Sequence, residues 1–161
     1  MSRYQELCTL AANYGKQFGE HQDACHRLAA AVIQDYAAYL SCPLEKIEQV
    51  ELDRALKATE NTAPLTQKLR AVTDPEGFVH FAWRLKFDQG SYRYGATELV
   101  TFELRIAGEV AIIREEKDFS VEVQNRISWG PFFEYLYRQS QQGFSAPYGE
   151  RRSRIGFLLR E

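Results

Sequence analysis

The chain has 161 residues, of which 45% are hydrophobic and 26% charged, and its 20 basic and 22 acidic side chains give a formal charge of −2. These values are typical of a packed protein and exclude wholesale disorder and collagen-like repeats. No stretch approaches the ~20 consecutive apolar residues that a membrane helix needs, and residues 1–17 lack the apolar core of a signal peptide. The odd set of Cys8, Cys25 and Cys42 indicates free thiols rather than a disulfide framework, so we expect a cytoplasmic protein.

The first predicted element is a helix over residues 2–41, because apolar residues recur there with the spacing of one helical face. Six of them are separated by sevens: Tyr4, Ala11, Phe18, Cys25, Val32 and Tyr39. Cys42 followed by Pro43 provides a natural end. A helix of this length would span about 60 Å, whereas a compact domain of this size is only about 40 Å across.

Two arrangements resolve this mismatch. Either the helix breaks near Gly15 and Gly19, or a second subunit covers its apolar stripe. We favour the second, a homodimer with Phe18, Val32 and Tyr36 in the seam.

Short segments separated by turn residues follow Pro43. Residues 47–56 fit a strand around 49–53 or a helical turn, and the polar residues 59–64 fit a connecting loop. The sequence Asp74-Pro75-Glu76-Gly77 predicts a tight turn with a strand on each side. Residues 79–87 and 97–106 alternate apolar and polar side chains, and shorter strands are predicted at 110–114 and around 119–123.

The last helix begins near Ser128 or Gly130, carries an aromatic stripe and ends at Gly143. Residues 151–161 are too apolar for a free tail, so we expect them to dock as an edge strand. The predicted fold is a single α+β domain over residues 1–161. It comprises a long amphipathic helix (1–42), an antiparallel meander sheet of four or five strands (43–125) covered on one face by helices, and a helix with a basic C-terminal segment (126–161).

Candidate catalytic residues lie on the polar face of the predicted sheet. His80 projects from the strand at 79–87 beside Arg84, and Glu103 lies on a neighbouring strand. These groups could supply a general base, an anion clamp and an orienting carboxylate. Exposed sheet faces also carry such charge pairs without any catalytic role, and no GxSxG, P-loop, HExxH or CxxC motif occurs.

The candidate metal ligands are His21 and Cys25, which lie on one face of the long helix. Two ligands fall short of the three or four that zinc requires, so no metal or other cofactor is predicted. We interpret Cys25 as a core residue and His21 as the rim of a packed seam.

The charge is unevenly distributed along the chain. Residues 1–125 hold 14 basic and 19 acidic side chains, giving −5, and residues 126–161 hold 6 and 3, giving +3. Arg151, Arg152 and Arg154 could contact nucleic acid, or could dock on the acidic body. The loop residues Tyr92, Arg93 and Tyr94 could contact a protein partner.

The functional hypothesis is a non-enzymatic, cytoplasmic protein-interaction module that forms a homodimer through its N-terminal helix. The layout is shared with binding modules, secretion-type chaperones and small ligand-binding folds. The alternative is a small-molecule-binding protein or enzyme with an aromatic pocket between the sheet and the C-terminal helix, near His80. Nucleic-acid contact through the arginine-rich end is a lesser alternative.

Overall fold

A computed structural model describes residues 2–88, 94–146 and 155–159, with Tyr94 and the last five residues described through their backbone alone. Its elements, in chain order, are α1 (Arg3–Leu40), β1 (Ile47–Leu52), β2 (Ala58–Ala63), β3 (Val72–Thr73), β4 (Val79–Phe87), β5 (Tyr94–Ala107), β6 (Val110–Arg114), β7 (Asp118–Glu122), α2 (Gly130–Ser145) and β8 (Ile155–Leu159). Short 3₁₀ turns precede β1 at Leu44–Lys46 and α2 at Arg126–Trp129.

Helix α1 is continuous over 38 residues and therefore about 57 Å long. The Ser2 hydroxyl accepts a hydrogen bond from the Gln5 N–H at 3.2 Å, and the Gln5 side chain accepts one from the Ser2 N–H at 2.8 Å. This capping box satisfies two backbone donors that a helix start leaves unpaired. At the other end Ser41 adopts a left-handed conformation with φ 54°. The prediction of one helix is confirmed, and no break occurs at Gly15 or Gly19.

The strands form one antiparallel sheet in the order β2-β1-β4-β5-β6-β7. Two short strands lie beside this path, where β3 pairs with β4 and β8 pairs with the first half of β5. The α+β prediction is confirmed, although the sheet has more strands than the expected four or five. The expected docking of the C-terminal segment as a strand corresponds to β8.

The polar residues 59–64, predicted as a loop, instead form most of strand β2. Its side chains are exposed except at Thr59 and Ala63, so it shows no apolar alternation from which a strand could be predicted. A tight turn joins it to β1, in which the Asp53 side chain accepts hydrogen bonds from the Ala55 and Lys57 N–H groups. Leu56 lies at φ 62° in this turn.

The predicted turn at residues 74–77 is present between β3 and β4. Gly77 lies at φ 87°, a conformation that glycine adopts without steric cost. One carboxylate oxygen of Asp74 accepts hydrogen bonds from the N–H groups of Glu76 and Phe78 at 2.9 and 3.0 Å. This turn fixes where β4 begins and which of its side chains face outward.

The main core lies between one face of the sheet and the two helices. The sheet contributes Val79, Phe81, Trp83, Leu85, Val100, Phe102 and Leu104, whereas the second half of α1 and the aromatic face of α2 supply the opposing side. The other face of the sheet carries the alternate residues of β4 and β5 and is mostly polar. Within the described part of the chain, no helix is both long and apolar enough to cross a membrane.

Candidate functional site

The first half of α1 projects beyond the core and exposes its apolar stripe. Every residue from 2 to 18 is exposed to solvent. The large apolar side chains keep 44–76% of their surface: Tyr4, Leu7, Leu10, Tyr14 and Phe18. Neighbouring apolar side chains in such a stripe are unusual on an isolated protein surface and are typical of an interaction site.

The stripe follows the heptad spacing of a coiled coil. Tyr4, Leu7, Ala11, Tyr14 and Phe18 are separated alternately by three and four residues, as are the a and d positions of a heptad. A Cβ atom added at the nearby Gly15 or Gly19 would meet no atom of the described residues within 4 Å. This half of the helix is therefore unsupported by the part of the chain that the structure describes.

The second half of the same stripe lies inside the chain's own core. Val32 is 0% and Tyr36 1% exposed, and both belong to the main hydrophobic cluster. Our placement of these two residues in a seam between subunits is therefore corrected, because the sheet and α2 already cover them. Of the three seam residues predicted, only Phe18 remains accessible.

A groove of about 800 Å³ begins where the exposed stripe ends. Phe18 forms part of its wall, together with charged side chains from β1, its turn and the segment before β3, among them Asp53, Arg54, Lys68 and Arg70. A ligand lying along the stripe would thus meet a polar, mixed-charge surface at Phe18.

The His21–Cys25 pair anchors α1 to the sheet. His21 donates a hydrogen bond from Nε2 to the Gly77 carbonyl at 2.8 Å, and the same nitrogen lies 3.7 Å from the Cys25 thiol. Burial raises the pKa of Cys25, which keeps its thiol protonated. His26 lies elsewhere, edge-on to the Phe81 ring at 5.1 Å. The structure thus places His21 at a packed contact and Cys25 in the core.

On the outer face of the sheet, His80 lies between two carboxylates. Its Nε2 is 3.1 Å from Oδ2 of Asp74 and 3.1 Å from Oε2 of Glu103. Glu103 stands directly opposite His80 in the β4–β5 register, and Asp74 comes from the turn after β3. Burial raises the pKa of Asp74, but hydrogen bonds from His80 and from the Phe78 and Glu76 N–H groups outweigh it and leave the pKa below its ordinary 3.8.

Arg84 does not join this cluster. Its guanidinium lies 3.4 Å from Glu48 on β1, which also contacts Lys86 at 3.5 Å. The cation beside Glu103 is instead Arg114 on β6, at 3.4 Å. Arg114 was not predicted in this cluster because its contact with Glu103 depends on the pairing of β6 with β5, and Asp74 was predicted only as a turn residue.

Arg114 also covers a buried ring. Phe78 is 0% exposed although it lies on the outer face, because the guanidinium carbons of Arg114 and Arg105 stand 4.2 and 4.6 Å from its ring centroid. Arg114 pairs with Asp118 as well, at 2.8 Å, and this hydrogen bond is the main reason that its pKa is raised.

The aromatic pocket that was predicted between the sheet and the C-terminal helix does not lie near His80 in the described residues. His80 faces away from α2, and the space between sheet and α2 is filled by rings, with the Phe102 centroid 5.0 Å from that of Trp83 and 5.4 Å from that of Phe132. A separate apolar pocket of about 300 Å³ lies at the far end of α2, lined by Tyr36, Leu40, Phe87 and Phe144 among others. His80 instead borders an outer-face cavity of about 220 Å³.

The remaining predicted contact residues lie largely outside the described residues. Five of them fall outside the described residues: Tyr92, Arg93, Arg151, Arg152 and Arg154. Tyr94 is described only as the first backbone position of β5.

Comparison of the chain with protein-family models, with curated proteins and with solved structures found no match. Its function is therefore argued from its own residues.

Proposed function

We propose that the chain is a non-enzymatic protein-interaction module of the cytoplasm that binds a second copy of itself through residues 4–18 of α1. The observation that carries this proposal is the division of one apolar stripe on α1 into two halves. Its second half, from Cys25 to Tyr36, is buried in the chain's own core, and its first half, from Tyr4 to Phe18, is exposed. The same residue pattern that packs in one half is thus available for packing in the other.

A second copy is the partner that this surface fits best. Two such helices would place apolar a and d residues against each other, as in a coiled coil. Between Tyr4 and Phe18 the e and g positions are Cys8, Leu10, Gly15 and Gln17, so no charged side chain within this segment opposes self-pairing. A fully buried Leu, Tyr or Phe side chain contributes about 1.5–3 kcal/mol, and each copy offers several.

The cytoplasmic part of the proposal is supported by the thiols. Cys8, Cys25 and Cys42 are all free, and Cys8 is exposed. Free exposed thiols are typical of reducing compartments.

The test is the molar mass in solution by light scattering after gel filtration. We expect the wild-type protein to have twice the chain mass of 18.6 kDa. The double substitution Leu7→Glu with Tyr14→Glu should shift the protein to a monomer, because it would place charged side chains in the apolar seam. The core should remain folded, since neither side chain contacts it.

The matched control is Thr9→Glu with Asn13→Glu, which adds the same charge on the opposite, polar side of the helix. It should leave the dimer intact. A wild-type protein that is monomeric at about 100 μM would contradict the proposal, because a dissociation constant of that size corresponds to only ~5 kcal/mol of association. So would a dimer that survives the Leu7 and Tyr14 changes.

A further inference from the structure

The His80 cluster has the spacing of a metal site. Its three ligand atoms, from Asp74, His80 and Glu103, all lie within 4.8 Å of one another, and both carboxylates approach His80 Nε2 to 3.1 Å. Two donors on one tetrahedral Zn²⁺, each at about 2.1 Å, are about 3.4 Å apart. An ion could therefore take the central position with small side-chain movements.

Hydrogen bonds hold each carboxylate in a suitable orientation. In Asp74 the oxygen Oδ1 accepts two backbone N–H groups, which leaves Oδ2 directed at His80. In Glu103 the oxygen Oε1 accepts from Arg114, which leaves Oε2 directed at His80. Such outer hydrogen bonds are a general feature of metal sites, because they fix the ligating atoms before the ion arrives.

The local charge favours a cation despite the nearby guanidinium. Arg114 shares its single charge among Glu103, Glu76 and Asp118, at 3.4, 3.8 and 2.8 Å. With Asp74 included, the cluster carries more negative than positive charge when His80 is neutral. Glu115 and Glu116 also border the adjoining cavity of about 220 Å³, which leads from solvent to His80 and Glu103.

We propose that Asp74, His80 and Glu103 form a binding site for one Zn²⁺ ion, whose remaining coordination position is open to water from this cavity. Imidazole nitrogen and carboxylate oxygen are both donors that zinc accepts, and three protein ligands with one open position is the arrangement of catalytic zinc sites. The half-buried side chains, 14–26% exposed, allow both desolvation of the ion and its entry. The site is independent of the proposed dimer surface on α1.

Calorimetric titration of the full chain with zinc chloride, after treatment with a chelator and dialysis, tests the site. We expect one Zn²⁺ per chain and at least tenfold weaker binding in His80→Gln and in Glu103→Gln. The matched control is His26→Gln, which removes a histidine outside the cluster and should bind zinc as the wild type does. Circular dichroism in chelator establishes that each variant is folded. If His80→Gln or Glu103→Gln is not folded, Asp74→Asn replaces it, because this variant keeps the turn's hydrogen-bond acceptor.

A protonated imidazole held between two carboxylates would show the same 3.1 Å distances without any metal. NMR of the imidazole nitrogens distinguishes the two states, since zinc should shift the Nε2 resonance of His80 at constant pH. The proposal is overturned if the wild type takes up no zinc or if this resonance responds to pH alone. It is also overturned if binding persists in the His80 and Glu103 variants, or is lost in His26→Gln.

Discussion

Replacement of Phe78 measures how strongly two arginines stabilise a ring on the outer face of the sheet. Phe78 is completely buried, yet it does not belong to the main core, and Arg105 and Arg114 form its cover. Truncation of a buried phenylalanine to alanine costs about 3–5 kcal/mol through lost apolar contact and the remaining cavity. Each guanidinium over the ring contributes about 0.5–1 kcal/mol of that stability.

These values separate two variants. Phe78→Ala should lower the free energy of unfolding by about 3–5 kcal/mol. Phe78→Leu keeps most of the apolar volume but loses both cation–π contacts, so it should cost about 1–2 kcal/mol. With a urea dependence of about 2 kcal/mol per M, the alanine variant should unfold about 2 M earlier.

The assay is urea unfolding at one fixed protein concentration, because dissociation of a dimer would add to the measured stability. Ile127→Ala serves as the control, since Ile127 is 88% exposed and should change stability by less than about 0.5 kcal/mol. Equal losses in Phe78→Ala and Phe78→Leu would show that ring–guanidinium contact matters more than volume. A loss below about 1 kcal/mol in Phe78→Ala would refute the described packing.

Two further predictions concern α1. Burial, and secondarily Lys68, holds the pKa of His26 below its ordinary 6.5. The unfolded chain therefore binds a proton first, and stability should fall as the pH drops from about 7 to about 5. His26→Gln should reduce this slope in urea midpoints measured across that range, and an unchanged slope would show that His26 is not its source. Val32→Asp should unfold the chain rather than only separate subunits, because it would bury an unpaired carboxylate in the core. A folded monomer by circular dichroism and light scattering would contradict this expectation.

The regular elements could be predicted where one face is buried. Alternation over 79–87 predicted β4, because its inward side chains meet the helices and its outward ones, except the buried Ala82, reach solvent. Strand β2 gave no such signal, since most of its side chains are exposed and its stability comes from backbone pairing with β1. Hydrophobic periodicity reflects which side chains are buried, so it does not indicate a strand that has both faces in water.

The outer-face cluster could be predicted only in part. Alternation placed His80 and Glu103 on the same face, but their direct opposition depends on the register of β4 and β5, which alternation alone does not specify because a two-residue shift keeps the same faces. Arg84 meets Glu48 because β1 pairs with β4 across a long sequence separation. Asp74 reaches His80 only because the turn folds the chain back. The contacts of His80 with Glu103 and of Arg84 with Glu48 are set by strand pairing rather than by local residue types.

The continuity of α1 has a consequence for how this protein can change over time. An isolated helix of about 15 residues is marginal in water, but the first half of α1 extends from a second half that the core already holds helical. Its solvent-facing side chains can be exchanged with little effect on the rest of the fold. The residues of the proposed dimer surface and the residues that maintain the core can thus evolve under separate constraints on a single helix.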